Sequence, residues 1–123
     1  SFFVMGIEDR LVQVLRNLVE NAQSFSPPHD TIRVDVRKIE NKVQIIVEDK
    51  GPGISPESLD RIFQRFYQDR QKKEEFGNHS GLGLNICEQI VELHNGRIWA
   101  ENITQKNNQT SGARFIVEFP TLE

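Results

Sequence analysis

Two asparagines lie one helical turn apart near the start of the chain, in the run RNLVENA. Asn17 and Asn21 are four residues apart and share one flank of a predicted helix, beside its apolar stripe. Asparagine is a poor helix former, because its side-chain amide competes for backbone hydrogen bonds. An amide oxygen can bind Mg²⁺ without adding charge, and phosphates and water usually supply most of the other Mg²⁺ ligands. The pair therefore indicates a site that uses these amides, with two ordinary surface amides as the alternative.

An acidic residue followed by two glycines ends a predicted strand in the run VEDKGPGIS, residues 47–55. A carboxylate here, in a mostly apolar pocket, can accept a hydrogen bond from an amino group on a flat heterocycle such as adenine. Gly51 and Gly53 would let the backbone lie close against the ring. Asp49 is thus a candidate nucleobase ligand. A turn that carries a solvated acid is the alternative for this run taken alone.

A glycine-rich run, SGLGLNI at residues 80–86, opens another predicted helix. Gly81 and Gly83 would leave the first N–H groups and the positive end of the helix dipole accessible to an anion. The run lacks the pattern of a Walker loop, and it does not follow a predicted strand as a dinucleotide-binding fingerprint does. It indicates an anion site, and a simple loop-to-helix junction is the alternative.

The elements that must position these three groups follow from the apolar periodicity. Helices are predicted over 8–25, from Ser55 onwards, and from Leu82 to about Asn95. A polar loop over 68–80 separates the last two helices. Strands are predicted over 31–39, 42–48, 97–103 and 113–119. This order predicts an α+β protein, a two-layer α/β sandwich with an antiparallel or mixed sheet covered on one face by three helices.

The composition predicts one globular domain of 123 residues. The net charge of −3, with both signs interspersed, argues against nucleic acid as a partner. No apolar run approaches the ~20 residues needed to span a bilayer. The single cysteine, Cys87, is predicted to be a buried structural thiol. We expect His29, His79 and His94 to be surface residues.

Four motifs occur in a fixed order, with RIFQRFYQ at 61–68 between the second and third groups. Together they resemble the N, G1, F and G2 boxes of the ATP-binding domain of sensor histidine kinases. That domain has the Bergerat fold, also called GHKL, shared with gyrase, Hsp90 and the MutL repair ATPases. The resemblance covers nearly the whole chain, and NHSGLGL is also similar to envelope-sensing kinases of the ChvG/ExoS type. The resemblance of the four motifs implies one catalytic ATP-binding domain over residues 1–123, with a mixed sheet.

The resemblance also implies a role for each motif position. Asp49 would bind the adenine amine, Asn21 would be the Mg²⁺ ligand, and Asn17 would support catalysis beside it. Residues 68–80 would form a lid over the nucleotide. The implied nucleotide-binding positions are Asn17, Asn21, Ser24, Phe25, Asp49, Gly51, Gly53, Ile54, Phe63, Phe66, Ser80, Gly81, Leu82, Gly83 and Leu84.

Two positions depart from related patterns. The gyrase-like ATPases have a glutamate that activates water four residues before the Mg²⁺ asparagine, and here that position is Asn17. An amide cannot act as a base at neutral pH, and Glu20 lies on a different face of the helix. Many histidine kinases carry a cation three residues after the asparagine, and here that position is Ser24.

The function implied by the resemblance is the binding of ATP–Mg²⁺ and donation of the γ-phosphate to a histidine on a separate dimerisation hairpin. None of the three histidines lies in an acceptor motif, so we expect no self-phosphorylation of this chain. The implied partners are that hairpin and, indirectly, a response regulator. The chain is expected to be a monomeric, cytoplasmic domain of a homodimeric inner-membrane sensor kinase. The alternatives are a GHKL-type ATPase and a nucleotide-dependent docking module.

Overall fold

The computed structural model describes residues 8–25, 30–64 and 83–121, without the side chains of Glu8 and Phe25. Two helices and four strands lie in these ranges. Their order is α1 (Glu8–Phe25), β1 (Arg33–Ile39), β2 (Lys42–Glu48), α2 (Gly83–Leu93), β3 (Arg97–Thr104) and β4 (Thr110–Pro120). The predicted bounds of α1 and β2 are confirmed, and β4 is three residues longer at its start than predicted.

The strands form one sheet in the order β1-β2-β4-β3, and every pair is antiparallel. The resemblance implied a mixed sheet, whereas the described strands form the antiparallel arrangement that the sequence also left open. β1 and β2 form a hairpin whose two-residue turn includes Glu40 at a positive φ of 56°. β2 and β3 flank β4, which brings the end of β2 close to the end of the β3–β4 hairpin.

The core lies between one face of the sheet and the two helices. α1 contributes Val14, Leu18 and Ala22, while α2 contributes Cys87 and Val91. Alternate residues of β4 point into the same core, namely Ala113, Phe115, Val117 and Phe119. The predicted two-layer arrangement is therefore confirmed for the described residues. The apolar spacing along α1 predicts that Leu15 lies in the buried stripe, and this was wrong, because Leu15 is 36% exposed and Val14 is buried instead.

Cys87 is fully buried, as predicted. Its thiol lies 3.6 Å from the carbonyl oxygen of Val14 on α1. Burial raises the pKa of the Cys87 thiol to about 11, partly offset by a hydrogen bond with Asn17. Because the thiolate is the reactive form, Cys87 is a packing residue that joins α1 to α2.

Apolar residues alternate with charged residues along β1, which predicts that only one face of the strand is solvated, and this was wrong. Val34, Val36 and Ile39 are 44%, 50% and 47% exposed. The strand lies at the edge of the four-stranded sheet, and α1 packs over β2 rather than over β1. The alternation along β1 therefore does not lead to burial, because the helices do not cover this edge strand.

Two further expectations need correction. Residues 56–63 form successive hydrogen-bonded turns instead of the regular helix predicted from Ser55, and their bonds alternate between three- and four-residue spans. Ile62 and Phe63 are nevertheless buried as the periodicity predicts. His94 is half-buried and not a surface residue, because its Nδ1 lies 2.7 Å from the Ile90 carbonyl oxygen and its ring packs edge-on against Phe119. His29 and His79 lie outside the described residues.

Candidate functional site

Asp49 lies just beyond the end of β2 and is only 3% exposed. Its Oδ1 accepts hydrogen bonds from the backbone nitrogens of Gly51 at 2.9 Å and Ala113 at 3.3 Å. Its own backbone nitrogen donates to the Ala113 oxygen at 2.9 Å. The carboxylate is therefore a buried group fixed to β4, and the alternative of a turn with a solvated acid is wrong.

The loop after Asp49 packs tightly against the β3–β4 hairpin. Gly51, Gly53 and Ile54 are all buried, and Gly53 has a positive φ of 86°. A Cβ on Gly53 would collide with Cγ2 of Thr110 and lie 2.8 Å from Oδ1 of Asn102. Gly53 is thus required by backbone conformation and by close packing against the protein itself.

Two residues of the hairpin that sequence reasoning missed hold this loop. Oδ1 of Asn102 accepts from the Ile54 nitrogen at 2.7 Å, and its Nδ2 donates to the Ile54 oxygen at 2.7 Å. Gly112 has a φ of 151°, and a Cβ there would collide with the backbone oxygen of Asp49. A signal for Asn102 exists in the sequence, because alternation places this amide on the core-facing side of β3 with Ile98 and Ala100.

On α1, the two asparagines have different surroundings. Nδ2 of Asn17 donates to the backbone oxygen of Gly83 at 3.4 Å, which links α1 to the first residue of α2. Nδ2 of Asn21 is buried and has no hydrogen-bond partner in the described part of the chain. Native proteins leave few buried donors unpaired, so an unpaired amide of this kind indicates a position for a ligand. Glu20 is exposed, as expected from its place on another face.

The remaining predicted positions are only partly described. The hydroxyl of Ser24 donates to the Glu20 oxygen at 3.0 Å, within α1. Phe63 is buried and packs edge-on against Phe115, with ring centroids 6.1 Å apart. Leu84 packs against the same core. Outside the described residues lie the side chain of Phe25, then Phe66, Ser80, Gly81, Leu82 and the predicted lid over 68–80.

One further contact ties the turn segment to α2. Nδ2 of Asn85 donates to the backbone oxygen of Phe63 at 3.0 Å, and Asn85 lies in the first turn of α2. Its own Oδ1 accepts from Gln89 at 2.8 Å. The start of α2 is therefore held by Asn17 on one side and by the turn segment on the other. No helix in the described ranges is long and apolar enough to cross a membrane.

Residues 6–123 match the family described as histidine kinase-, DNA gyrase B-, and HSP90-like ATPase. Sensor protein ChvG of Rhizobium meliloti is 50% identical over 98% of the chain. The signal transduction histidine-protein kinase BaeS of Escherichia coli is 34% identical over 98% of the chain. The chain spans only 21% of the ChvG relative and 25% of the BaeS relative.

Solved structures of similar fold have related names. The mycobacterial sensor histidine kinase MprB superposes with a TM-score of 0.83 at 27% identity, over 96% of this chain and 74% of that one. The nucleotide-free catalytic domain of histidine kinase ThkA superposes with a TM-score of 0.77 at 33% identity, over 96% and 70%. The two-layer fold described above is therefore the fold of these catalytic domains.

Proposed function

Because the chain belongs to the family of histidine kinase-, DNA gyrase B- and HSP90-like ATPases, we propose that residues 1–123 are the ATP-binding catalytic domain of a sensor histidine kinase. The domain binds ATP with Mg²⁺ and donates the γ-phosphate to a histidine on a separate helical hairpin. The observation that carries this proposal is the buried Nδ2 of Asn21, which has no hydrogen-bond partner in the described ranges.

Asn21 fits a phosphate-bound Mg²⁺ by the chemistry of its side chain. The amide offers one donor group and one neutral oxygen on the same planar unit. Nδ2 suits a phosphate oxygen, and Oδ1 suits Mg²⁺, which prefers oxygen ligands and keeps phosphates and water around it. Mg²⁺, when bound, would neutralise charge on the phosphates during transfer. Binding would thus satisfy the donor that the described protein atoms leave unpaired.

Asp49 suits the adenine end of the same ligand. Its backbone contacts with Gly51 and Ala113 fix the carboxylate before any ligand arrives. A carboxylate can accept several hydrogen bonds at once, so these contacts are compatible with an amine donor from the base. Ile54 and the glycines beside it supply a buried, apolar wall. The other proposed nucleotide-binding positions are those that the family resemblance implies.

In the proposed reaction, no residue of this chain forms a covalent bond with the transferred phosphate. A nitrogen of the acceptor imidazole attacks the γ-phosphorus, the bond to the β–γ bridging oxygen breaks, and ADP leaves with that oxygen. The domain contributes by holding the triphosphate and excluding water, which is the main requirement of phosphoryl transfer. Asn17 supports this role, because its amide donates to Gly83 and holds the start of α2 against α1.

Hydrolysis of ATP by this chain is the competing function, and Asn17 argues against it. The side chain is an amide, which does not accept a proton from water at neutral pH. The γ-phosphate is therefore retained for another nucleophile. The partners we propose are the phosphoacceptor hairpin and, through it, a response regulator, with a homodimeric parent kinase in the inner membrane.

A transfer assay tests the proposal. The domain alone, given γ-labelled ATP and Mg²⁺, should show negligible self-labelling and very slow phosphate release. Addition of the parent's hairpin domain should place label on the hairpin, weakly, because tethering normally supplies the effective concentration. Rapid phosphate release by the domain alone, abolished in Asn17→Ala, would place it among the ATPases instead.

A further inference from the structure

The adenine-facing loop, residues 49–55, is irregular, and Asp49, Gly51, Gly53 and Ile54 in it are buried. Within it, the Gly51 nitrogen donates to the Asp49 side chain at 2.9 Å. The backbone of an irregular buried segment must be satisfied by some other part of the protein. The position of this loop is therefore decided by the elements on which it rests.

Both ends of the loop are bonded to one rung of the β3–β4 ladder. Asn102 and Ala113 are directly paired across the two strands. Ala113 exchanges hydrogen bonds with Asp49 at the start of the loop, at 2.9 Å through its oxygen and 3.3 Å through its nitrogen. The side chain of Asn102 is hydrogen-bonded to both the backbone nitrogen and the backbone oxygen of Ile54, at 2.7 Å each. A single rung thus sets the distance between the carboxylate and the far end of the loop.

We infer that Asn102 is a positioning residue for nucleotide recognition, which acts by holding the 49–55 loop so that Asp49 faces the base. This inference rests on the proposed function, because it deepens the role given there to Asp49. Asn102 is half-buried on β3 and is not among the residues that the family resemblance assigned to the nucleotide.

The pair of bonds explains why the residue is an asparagine. The amide carries a donor and an acceptor in one plane, as a peptide group does, so it pairs with Ile54 as a neighbouring strand would. An aspartate keeps the acceptor for the Ile54 nitrogen but turns its second oxygen, which cannot donate, towards the Ile54 carbonyl. A serine is shorter and has a single oxygen for both groups. Glutamine is longer and would need more space. That space is lacking, because even a Cβ added at Gly53 would lie 2.8 Å from Oδ1 of Asn102.

The test measures base discrimination as well as affinity. ATP and inosine triphosphate share the sugar and phosphates, but the inosine base lacks the exocyclic amine. Calorimetry with Asn102→Asp should show ATP binding weakened about tenfold, from the loss of one hydrogen bond and the exposure of a buried acceptor to repulsion. Inosine triphosphate should weaken less, so the preference for ATP falls. A residue that only stabilises the fold would leave this preference unchanged in the folded fraction.

Asn107→Ala is the matched control. Asn107 lies in the turn of the same hairpin, where its Oδ1 accepts from the exposed Gln109 nitrogen at 3.1 Å, and it does not touch the loop. Its nucleotide preference should equal that of the wild type. Asn102→Ser is the second variant, and it gives the same reading if Asn102→Asp proves unfolded.

The outcomes separate this inference from the proposed function. A wild-type preference for ATP that persists in Asn102→Asp and Asn102→Ser overturns the positioning role and leaves the adenine assignment intact. A wild type without any such preference overturns the adenine assignment and this inference with it. Hydrogen exchange of the wild-type domain provides a reading that needs no variant. The Ile54 amide should be protected without nucleotide, and rapid exchange there contradicts the Asn102 contact.

Discussion

The two ends of the proposed nucleotide site are built differently. At the base end, the Asp49 carboxylate is hydrogen-bonded to β4. The backbone of Ile54 is hydrogen-bonded to the side chain of Asn102 on β3. At the phosphate end, on α1, the amide nitrogen of Asn21 is buried with no partner in the described ranges. The described groups of the base end are thus bonded within the free protein, while the phosphate end has a polar group that only a ligand, or a residue outside those ranges, can satisfy.

This difference divides the energetic roles of the two ends. A preorganised base pocket binds without having to order its loop, so its hydrogen bonds contribute directly to affinity. An unpaired buried donor destabilises the free protein by an amount that ligand binding recovers. Substitutions that break these contacts at the base end should therefore change both stability and binding. Substitution of Asn21 at the phosphate end should change binding and transfer while leaving stability equal or higher.

The largest expected effect is at Asn21. Asn21→Ala should abolish transfer to the hairpin, because the proposed Mg²⁺ ligand and phosphate donor are both lost. Its free energy of unfolding without nucleotide should stay equal or rise by up to about 1 kcal/mol, since an unsatisfied donor is removed and alanine favours the helix. Urea unfolding and the label-transfer assay measure the two quantities.

Asn17→Ala is the matched variant for Asn21. Its amide has a partner in Gly83, so its removal should lower the free energy of unfolding by about 1 kcal/mol. If both asparagine variants lose stability equally, the donor of Asn21 has a protein partner and the contrast between the two ends is wrong.

Gly112→Ala should give the next largest effect, at the base end. The added Cβ would collide with the backbone oxygen of Asp49, so either β4 or the loop must move. Overpacking of this kind costs about 1–3 kcal/mol, and we expect ATP affinity to fall by about 10–100-fold as the carboxylate is displaced. Calorimetry and urea unfolding should both report the change.

Gly83→Ala is the stability control for Gly112→Ala. A Cβ at Gly83 has open space around it, and the residue begins α2. Because alanine is the better helix former, its free energy of unfolding should not fall. Wild-type ATP affinity in Gly112→Ala would show that the loop tolerates displacement and is not preorganised.

Two substitutions separate the structural role of Asp49 from its proposed role in ligand binding. Asp49→Asn retains an acceptor for the Gly51 and Ala113 nitrogens, so stability should change little. The charge is lost, and a hydrogen bond to a charged group is worth about 1.5–3 kcal/mol, so ATP affinity should fall at least about tenfold by calorimetry.

Asp49→Ala removes both roles together. It leaves two buried backbone donors without their acceptor, which should lower the free energy of unfolding by about 2–4 kcal/mol. Unchanged ATP and ADP affinity in Asp49→Asn would contradict the adenine assignment, whatever the stability of the alanine variant.

Sequence patterns predicted those features that depend on neighbours along the chain. The extent of α1, the burial of Cys87 and the strand before Asp49 follow from periodicity and local composition, and all are confirmed. The motif order also indicated the correct family. The failures concern contacts between distant segments. Asn102 meets Ile54 across 48 residues, and neither residue shows in its own surroundings that the other is its partner.

The other two failed predictions concern β1 and the segment after Ser55, and both depend on tertiary packing. Alternation in β1 predicted a buried face, but burial depends on how far α1 extends across the sheet, and Val36 is 50% exposed. Helix signals at Ser55 predicted a regular helix, yet residues 56–63 form successive turns, at the start of which the Ser55 hydroxyl bonds to the hydroxyl of Ser58 at 2.7 Å. A capping residue indicates where a segment turns, and tertiary packing decides which kind of turn it forms.

The smallest expected effect lies far from the proposed ligand and tests whether the site is mechanically separate from the sheet face opposite the helices. Glu118 is on β4 between Val117 and Phe119, so its side chain points away from the core. Its carboxylate accepts from Gln44 at 2.8 Å and contacts Arg97 at 3.2 Å and Lys42 at 3.4 Å.

These contacts, the Gln44 hydrogen bond foremost, hold the pKa of Glu118 below its ordinary value of 4.5. Since the folded pKa is the lower one, the contribution to stability is complete above pH 4.5 and disappears as the pH falls through the folded pKa. Glu118→Gln should therefore lower the free energy of unfolding by about 1 kcal/mol at neutral pH, with a smaller difference from the wild type in acid. Urea unfolding across this pH range measures it.

Glu101→Gln serves as the comparison, because Glu101 is 51% exposed and meets Arg114 at 3.5 Å, so its loss should be nearly neutral. Both variants should bind ATP as the wild type does. The rung that holds Asp49 is formed by Asn102 and Ala113, and Glu118 lies five residues further along β4, outside those contacts. A fall in ATP affinity in Glu118→Gln alone would mean that strain passes along β4 to the loop. The base end would then depend on the whole sheet and not on a single rung.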